Sequence, residues 1–455
     1  MITRDILCRS ALTPSGWVAP AHITIDSGGF ITAVAGVSGS SPESPVFGHV
    51  VPGMPNLHSH AFQRQIAGLT ETASGQADTF WTWREAMYRV AGQVTPEQMQ
   101  ANAAWLQVEM LEAGFTSCAE FHYIHHQPDG RPYDNLAEMG ARLLAAAADS
   151  GMALTVLPVL YCRSGFDSMQ VAAQQVRFFN TPERFMRLME AYRAALGGAT
   201  LHRLGVAPHS LRAVSAAQLK DVLGALEAQD VPLHIHIAEQ PAEVEECLHV
   251  LGARPVEWLL DHFRIDSAWC LVHATHMTEV ELRRAARSGA VAGLCPITEA
   301  DLGDGQFRAE AWCAAGGPFG IGSDSNLRLS VTEELRLLEF QCRMRLGRRN
   351  VLSDGDKSCG RSLFERAVTG GARALGQTVG KIQAGYRADL LELDDQGLLL
   401  EGLEGDELMD CWLFAGGSAM IRTVWVGGRP LVVAGRHIRR DRIEQRFRQA
   451  RTSAS

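Results

Sequence analysis

The chain holds no Cys-x-x-Cys pair, no cluster of basic residues and no apolar run long enough to cross a bilayer, and each absence closes a line of function. Its ten cysteines are scattered. Several of them, Cys118, Cys162, Cys270 and Cys295, fall in apolar, strand-like runs, so buried reduced thiols are expected and disulfides are not. A formal net charge of −9 without a Lys/Arg cluster excludes nucleic acid as a partner, because neutralising a phosphate backbone takes a concentrated basic surface. An anionic ligand would have to meet individual arginines instead. Residues 1–5 lack the basic-then-apolar pattern of a secretory signal, and with no membrane-spanning run either, a cytoplasmic protein without a membrane partner is expected.

What is present is ordinary globular material, 46% hydrophobic and 20% charged over 455 residues, enough for one large barrel with an appended domain. Residues 1–50 alternate short apolar segments with turns. Residues 22–26 and 30–34, joined by Ser27-Gly28-Gly29, read as a β-hairpin. The tail has the same character: 388–393 is strand-like, and 423–433 is a hairpin around Gly427-Gly428. Two β-rich ends predict a small β-sandwich domain assembled from residues 1–50 and 379–455, flanking a different domain over 51–378. The basic stretch 436–451 reads as a solvated helix.

Between the ends, apolar runs alternate with helical patterns. Reading the runs as buried parallel strands gives eight: 50–57, 116–123, 153–161, 204–208, 231–238, 269–274, 291–296 and 319–323. Helix starts fall between them, with capping boxes at Thr95/Gln98, Ser215/Gln218 and Thr278/Glu281 and an Ala/Leu-rich helical segment at 135–148. Eight β/α units predict an α/β fold, a (β/α)₈ TIM-like barrel, with its chemistry at the C-terminal ends of the strands.

Polar residues do gather at those ends. The first strand runs into His58 and His60, which alternate and so share a face. Strand two ends in Glu120-Phe121-His122-Tyr123 and strand four in Pro208-His209-Ser210-Leu211-Arg212. Strand five ends in His234-Ile235-His236-Ile237-Ala238-Glu239, strand six in His273, and strand eight in Ser323-Asp324. His58, His60, a third imidazole from strand five and the Asp324 carboxylate make a mixed nitrogen and oxygen site suited to one divalent ion, zinc first and iron second. Both His234 and His236 face one way; His236, nearer the catalytic end, is the predicted ligand. Of the three lysines, 220, 357 and 381, none stands at a strand end where a carbamate could bridge two ions, so a single metal is expected. Such an ion lowers the pKa of bound water toward ~7. Asp324 and His273 are then placed to take the proton of that water, and Glu239 to hand a proton to a leaving nitrogen. Glu239 also stands just ahead of Pro241, where a plain helix N-terminal charge would be at home.

The His-x-His after strand one, with His236, His273, Asp324 and the closing stretch from Gly385 to Leu390, resembles the amidohydrolase superfamily in its single-metal deaminase branch. More closely, the stretch from Pro52 to Arg64, Phe80-Trp81-Thr82-Trp83-Arg84, Ala119 to Tyr123, Ala207 to Arg212 and Leu302-Gly303-Asp304-Gly305 resemble the formimidoylglutamate deiminase family over nearly the whole chain. The pattern departs at Ile297 and Asp301, where the family has Thr and Asn, and leaves the role of the strand-seven loop, 296–305, open. The resemblance implies hydrolysis of N-formimino-L-glutamate to N-formyl-L-glutamate and ammonia in histidine degradation. It also implies that Arg212 and Arg84, with Gln63, Tyr123 and His209, bind the two carboxylates of that substrate. Trp81 and Trp83 are expected to build the apolar wall of the first loop. A homodimer is expected. The competing readings are a deaminase of the same branch acting on a ring such as guanine or cytosine, whose pocket would need amide and aromatic contacts rather than arginines, and a catalytically inactive barrel scaffold.

Overall fold

The computed structural model describes residues 4–37, 47–72, 79–168, 170–226, 229–394 and 397–452; the first three residues, read above for a targeting signal, lie outside it. Eight parallel strands are present in the expected order. Met54–Ser59, Phe115–His122, Ala153–Leu160 and a split fourth strand, His202–Leu204 with Ala207–Pro208, form one half. Leu233–Ile237, Trp269–His273, Val291–Leu294 and Phe319–Ile321 form the other.

The halves join along two seams. Between strands four and five, Val206 bridges Leu233 and the His234 amide donates to the Val206 carbonyl at 2.9 Å. Between strands eight and one, Ser59 bridges Asp324, the amides of Ser323 and Asp324 both donate to the His58 carbonyl (3.0 and 2.9 Å), and the His60 amide donates to the Asp324 carbonyl (3.0 Å). The second seam needs a residue without a side chain: a Cβ on Gly322 would lie 2.8 Å from His58 Cβ and 2.9 Å from the His58 amide nitrogen. Asn56, fully buried, spans the same seam, receiving the amides of His58 (3.3 Å) and Ser323 (3.1 Å) on its carbonyl and donating to Ser323 Oγ (2.7 Å).

The apolar run 50–57 is one stretch in sequence and two strands in space. Phe47–Pro52 belongs to the terminal sheet, parallel to Arg4–Thr13 and antiparallel to Leu390–Leu393, whereas Met54–Ser59 enters the barrel. Both parts are buried, so hydrophobicity does not change at the break. Gly53 marks it, because a Cβ there would fall 2.3 Å from the Thr116 side chain. The terminal sheet has nine strands drawn from both ends of the chain, including the predicted hairpins Ala21–Ile25 with Ile31–Gly36 and Ile421–Val426 with Arg429–Val433. It packs around a core of its own that includes Ile6, Ile23, Val50, Leu390 and Trp425.

All three capping boxes form, and each leads a helix of the barrel's outer ring. The Ala/Leu-rich segment is the helix Glu138–Ser150, stopped by Gly151 in the left-handed region. The basic tail departs from the expectation of a solvated helix. Residues Arg440–Thr452 are helical, but Ile443 is buried, Phe447 stacks on Trp105 (5.7 Å between centroids) and Arg442 and Arg446 reach Asp149. An apolar pair at i and i+4 gives this otherwise charged helix one docked face.

Candidate active site

The catalytic end of the barrel is where the backbone is most strained. Ala238, His273, Ala274, Asp324 and Asn326 all have positive φ, between 44° and 64°. Non-glycine residues pay on the order of 1 kcal/mol or more each for such conformations, which persist where surrounding contacts over-determine them. Here they turn side chains at the ends of strands five, six and eight inward.

Four side chains from the ends of strands one, five and eight converge. His58 Nε2 lies 3.1 Å from His60 Nε2 and 3.0 Å from His236 Nε2. Asp324 Oδ1 is 3.5 Å from the first and 3.3 Å from the second. The tautomers follow from the other ring nitrogens: His60 Nδ1 donates to the Phe121 carbonyl (2.8 Å) and His236 Nδ1 to the His209 carbonyl (3.1 Å), so both Nε2 lone pairs face inward. Burial pushes His58 down to about 3 and His236 well below the ordinary histidine value, keeping both neutral. Two lone pairs thus face His58 Nε2, and three imidazole nitrogens with one carboxylate oxygen match the donor set of a first-row divalent ion. A second grouping, His273, Cys295 and Asp324, shares the carboxylate, but burial holds the Cys295 thiol well above its usual pKa and so protonated, which makes it a poor ligand. His234, the other candidate on strand five, is turned away and donates from Nε2 to the Ala374 carbonyl at 2.8 Å.

Beside this group stand the two residues read as proton carriers. His273 Nε2 is 3.7 Å from both Glu239 Oε1 and Asp324 Oδ2. Burial raises the Glu239 pKa against the pull of His273 and Arg212. Burial works to lower His273, but the surrounding carboxylates Glu239, Glu299 and Asp324 outweigh it and hold it well above its ordinary value. Glu239 does precede a helix, Pro241–Leu251, yet its side chain lines the pocket rather than capping that helix.

All five predicted substrate contacts line the same pocket: Gln63, Arg84, Tyr123, His209 and Arg212. Gln63 Nε2 donates to the Tyr123 hydroxyl at 3.0 Å. Burial, then Arg212, hold His209 well below its ordinary value and so neutral. Arg84, on the helix Phe80–Gln93, sits 4.4 Å over the Trp81 ring, and the guanidinium of Arg212 is 6.0 Å from the same ring. Neither arginine forms an ion pair among the described residues, and Arg212 Nε is buried without a partner. Trp81 is thus a platform for two cations more than an apolar wall, while Trp83 does line the cavity.

Glu120, placed at its strand end by the sequence but given no role there, and two acidic residues that the sequence reading missed, Glu243 and Glu299, complete the site. Glu120 Oε1 accepts the Ala61 amide at 2.6 Å, and burial pushes its pKa up to about 7. Glu243 accepts the amides of Ala238 (3.3 Å) and Glu239 (3.1 Å). Glu299 contacts His273. Each works through a backbone amide or the far side of a ring, which no spacing rule flags; the one available signal was Glu243 falling in the first turn of a helix directly after Glu239.

Comparisons with known proteins place the chain in a family. The chain is similar to a formimidoylglutamate deiminase of Pseudomonas aeruginosa, 47% identical with 98% of each chain covered, and more distantly to an 8-oxoguanine deaminase of the same organism, 26% identical over 93% of this chain and 92% of that one. Among solved structures it superposes on an amidohydrolase from Brucella melitensis with a TM-score of 0.94, 47% identity and 99% of both chains covered. An adenosine deaminase from Xanthomonas campestris with bound zinc shares the fold alone, with a TM-score of 0.82 at 21% identity over 99% and 98% of the two chains. The model of the amidohydrolase family matches residues 49–431, and the chain belongs to that family.

Proposed function

We propose that this protein hydrolyses N-formimino-L-glutamate to N-formyl-L-glutamate and ammonia, a step of histidine degradation, using one divalent ion held by His58, His60, His236 and Asp324. Zinc suits three imidazoles and a carboxylate best, and iron tolerates the same set. The observation that carries the reading is the pair Arg84 and Arg212, two cations that form no ion pair among the described residues, in the pocket that also holds Glu239, His273 and Asp324. A substrate with two carboxylates supplies what they lack, and the 47% identical relative is named for a substrate of that kind. A ring substrate offers the arginines nothing comparable.

A divalent ion at this site supplies an acidified water, whose pKa falls toward ~7. Arg212 and Arg84 hold the carboxylates by charge-assisted hydrogen bonds, with Gln63, Tyr123 and His209 as further polar contacts, and so present the formimino carbon to the acidic group. Asp324 Oδ2 receives the proton of the water that adds to that carbon, and His273 Nε2 orients that water by a hydrogen bond. Glu239, whose burial favours its protonated form, delivers a proton to the amino nitrogen of the tetrahedral adduct. As the carbon–nitrogen bond breaks, the hydroxyl of the adduct returns a proton to the Glu239 carboxylate, ammonia leaves and the formyl group remains.

The same reading places the enzyme in the cytoplasm as a homodimer. Its test is ammonia release from N-formimino-L-glutamate beside guanine and cytosine, with and without a chelator. Turnover of the linear amidine that the chelator abolishes is expected. Turnover of a ring instead, or Glu239→Gln and His273→Asn variants that retain metal and near-normal rates, overturns it.

A further inference from the structure

The strand-seven loop, whose role the sequence leaves open, holds the residue that decides how His273 faces the site. After Val291–Leu294 the chain enters a short helix, Pro296–Asp301, and Glu299 from that helix is 1% exposed. Its Oε1 accepts two hydrogen bonds, from the Cys295 amide at 2.8 Å and from His273 Nδ1 at 3.2 Å. The helix is itself tied down. Thr298 Oγ1 pairs with Ser325 Oγ at 3.0 Å, one residue beyond Asp324, and the Ile297 amide donates to the buried Glu334 carboxylate at 2.9 Å. Glu299 is therefore a fixed acceptor bracketed between strands six and eight.

The Glu299 oxygen that accepts the Cys295 amide is the one that meets the ring, so the ring nitrogen facing it is the donor and carries a proton. His273 Nδ1 is that nitrogen, which leaves Nε2 pointing at Glu239 Oε1 and Asp324 Oδ2, each 3.7 Å away. A ring turned over about its Cβ–Cγ bond would put carbon against Glu299 and lose the bond. The His273 backbone lies in the left-handed region, φ 64°, so local conformation alone is a poor guarantee of ring orientation.

We infer that Glu299 is a positioning residue that fixes the orientation of the His273 ring so that Nε2 faces the reacting water. This rests on His273 orienting that water, as proposed above. Carboxylates and carbonyls that hold the far nitrogen of an active-site histidine are worth ~10- to 100-fold in activity when removed.

The test compares Glu299→Leu with Glu299→Gln, each checked for bound metal, by steady-state kinetics and by crystal structures. Leucine removes the acceptor; glutamine keeps an acceptor oxygen in place for both donors. With leucine, kcat should fall by roughly 10- to 100-fold while KM stays near its wild-type value, and the His273 ring should turn or lose its single orientation. Glutamine should restore the ring orientation and most of kcat. A leucine variant with unchanged kcat, or one whose His273 ring keeps its single orientation, overturns the inference. So does a glutamine variant no better than leucine on both readouts. If the wild-type protein itself fails to release ammonia from N-formimino-L-glutamate, the proposed function falls, and the ring orientation in the two variants still decides the part assigned to Glu299.

Discussion

Replacing Arg212 by methionine separates a dicarboxylate pocket from a ring pocket in one measurement. The guanidinium follows strand four, lines the cavity, forms no ion pair among the described residues and has an Nε buried without a partner. Burial works to lower its pKa, but Glu243 and Glu239 nearby leave it raised, so it stays charged. Methionine keeps the apolar stem and removes the fork. A hydrogen bond to a charged group contributes about 1.5–3 kcal/mol, which corresponds to roughly ten- to 150-fold in binding. The carboxylate it grips lies away from the formimino carbon and is held alike in the ground and transition states, so the loss should appear in KM with kcat little changed. The fold should suffer little, because Arg212 forms no ion pair among the described residues whose partner the variant would orphan. Arg212→Lys should fall between, keeping the charge but not the bidentate geometry. Ammonia-release kinetics across a range of substrate, with a melting curve alongside, check all of this. An Arg212→Met enzyme with wild-type KM for N-formimino-L-glutamate refutes the assignment of Arg212 to a carboxylate.

Other perturbations bear on the fold and the metal. Ile443→Ala in the tail helix should cost about 2–4 kcal/mol in urea unfolding, since Ile443 is 1% exposed; no loss would return that helix to solvent. Gly322→Ala should wedge the seam between strands eight and one, where its Cβ would sit 2.8 Å from His58 Cβ, costing about 1–3 kcal/mol and lowering metal content by inductively coupled plasma analysis; full occupancy at normal stability would refute the seam argument. Burial holds His122 at about 3 and His126 at about 4 in the folded protein, below the ordinary value of 6.5. The unfolded chain therefore binds more protons as pH drops from about 6.5 toward 4, and each of these histidines steepens the loss of stability there by up to about 1.4 kcal/mol per pH unit. Denaturation at pH 7.5, 6 and 5 should show the fall, and a His122→Gln variant with an unchanged slope would show that His122 is not part of it. Stripping the metal should abolish turnover and lower the melting temperature, with both restored by added zinc; a metal-free protein as stable as the loaded one would argue against His58, His60, His236 and Asp324 as a site preformed for a cation.

The barrel was legible because its strands are apolar runs that end abruptly in histidines and acids, a signal that survives without knowing which strands are neighbours. His58, His60, His236, His273 and Asp324 were readable for the same reason. What could not be read is what depends on distance in space. Val50 and Leu57 belong to one apolar run and two sheets, since both environments are equally dry. Ile443 and Phe447 form the one apolar pair in a charged helix, and only the presence of Trp105 opposite gives that pair a use. Trp81 looked apolar by composition, and its stacking under Arg84 is an i, i+3 contact within the helix Phe80–Gln93. Glu243 and Glu299 act on a neighbour's backbone or on the far side of a ring, and nothing in their own residue type announces it.

The seam between the first and last barrel strands has a consequence for synthesis. His58 and His60 leave the ribosome more than half a chain ahead of Asp324, and Asp324 takes its place only when residues 322–324 pair with the His58 backbone. Nascent chains thus carry two metal-seeking imidazoles long before the carboxylate that completes the set exists. The terminal sheet waits longer still, because Phe47–Pro52 pairs with Leu390–Leu393. A fragment that stops short of residue 319 would expose the His-x-His pair on an open barrel edge, able to capture an ion with fewer ligands and to offer that edge to another chain. With the ligand set proposed above, a cation finds its carboxylate only after the last barrel strand, Phe319–Ile321, has been made.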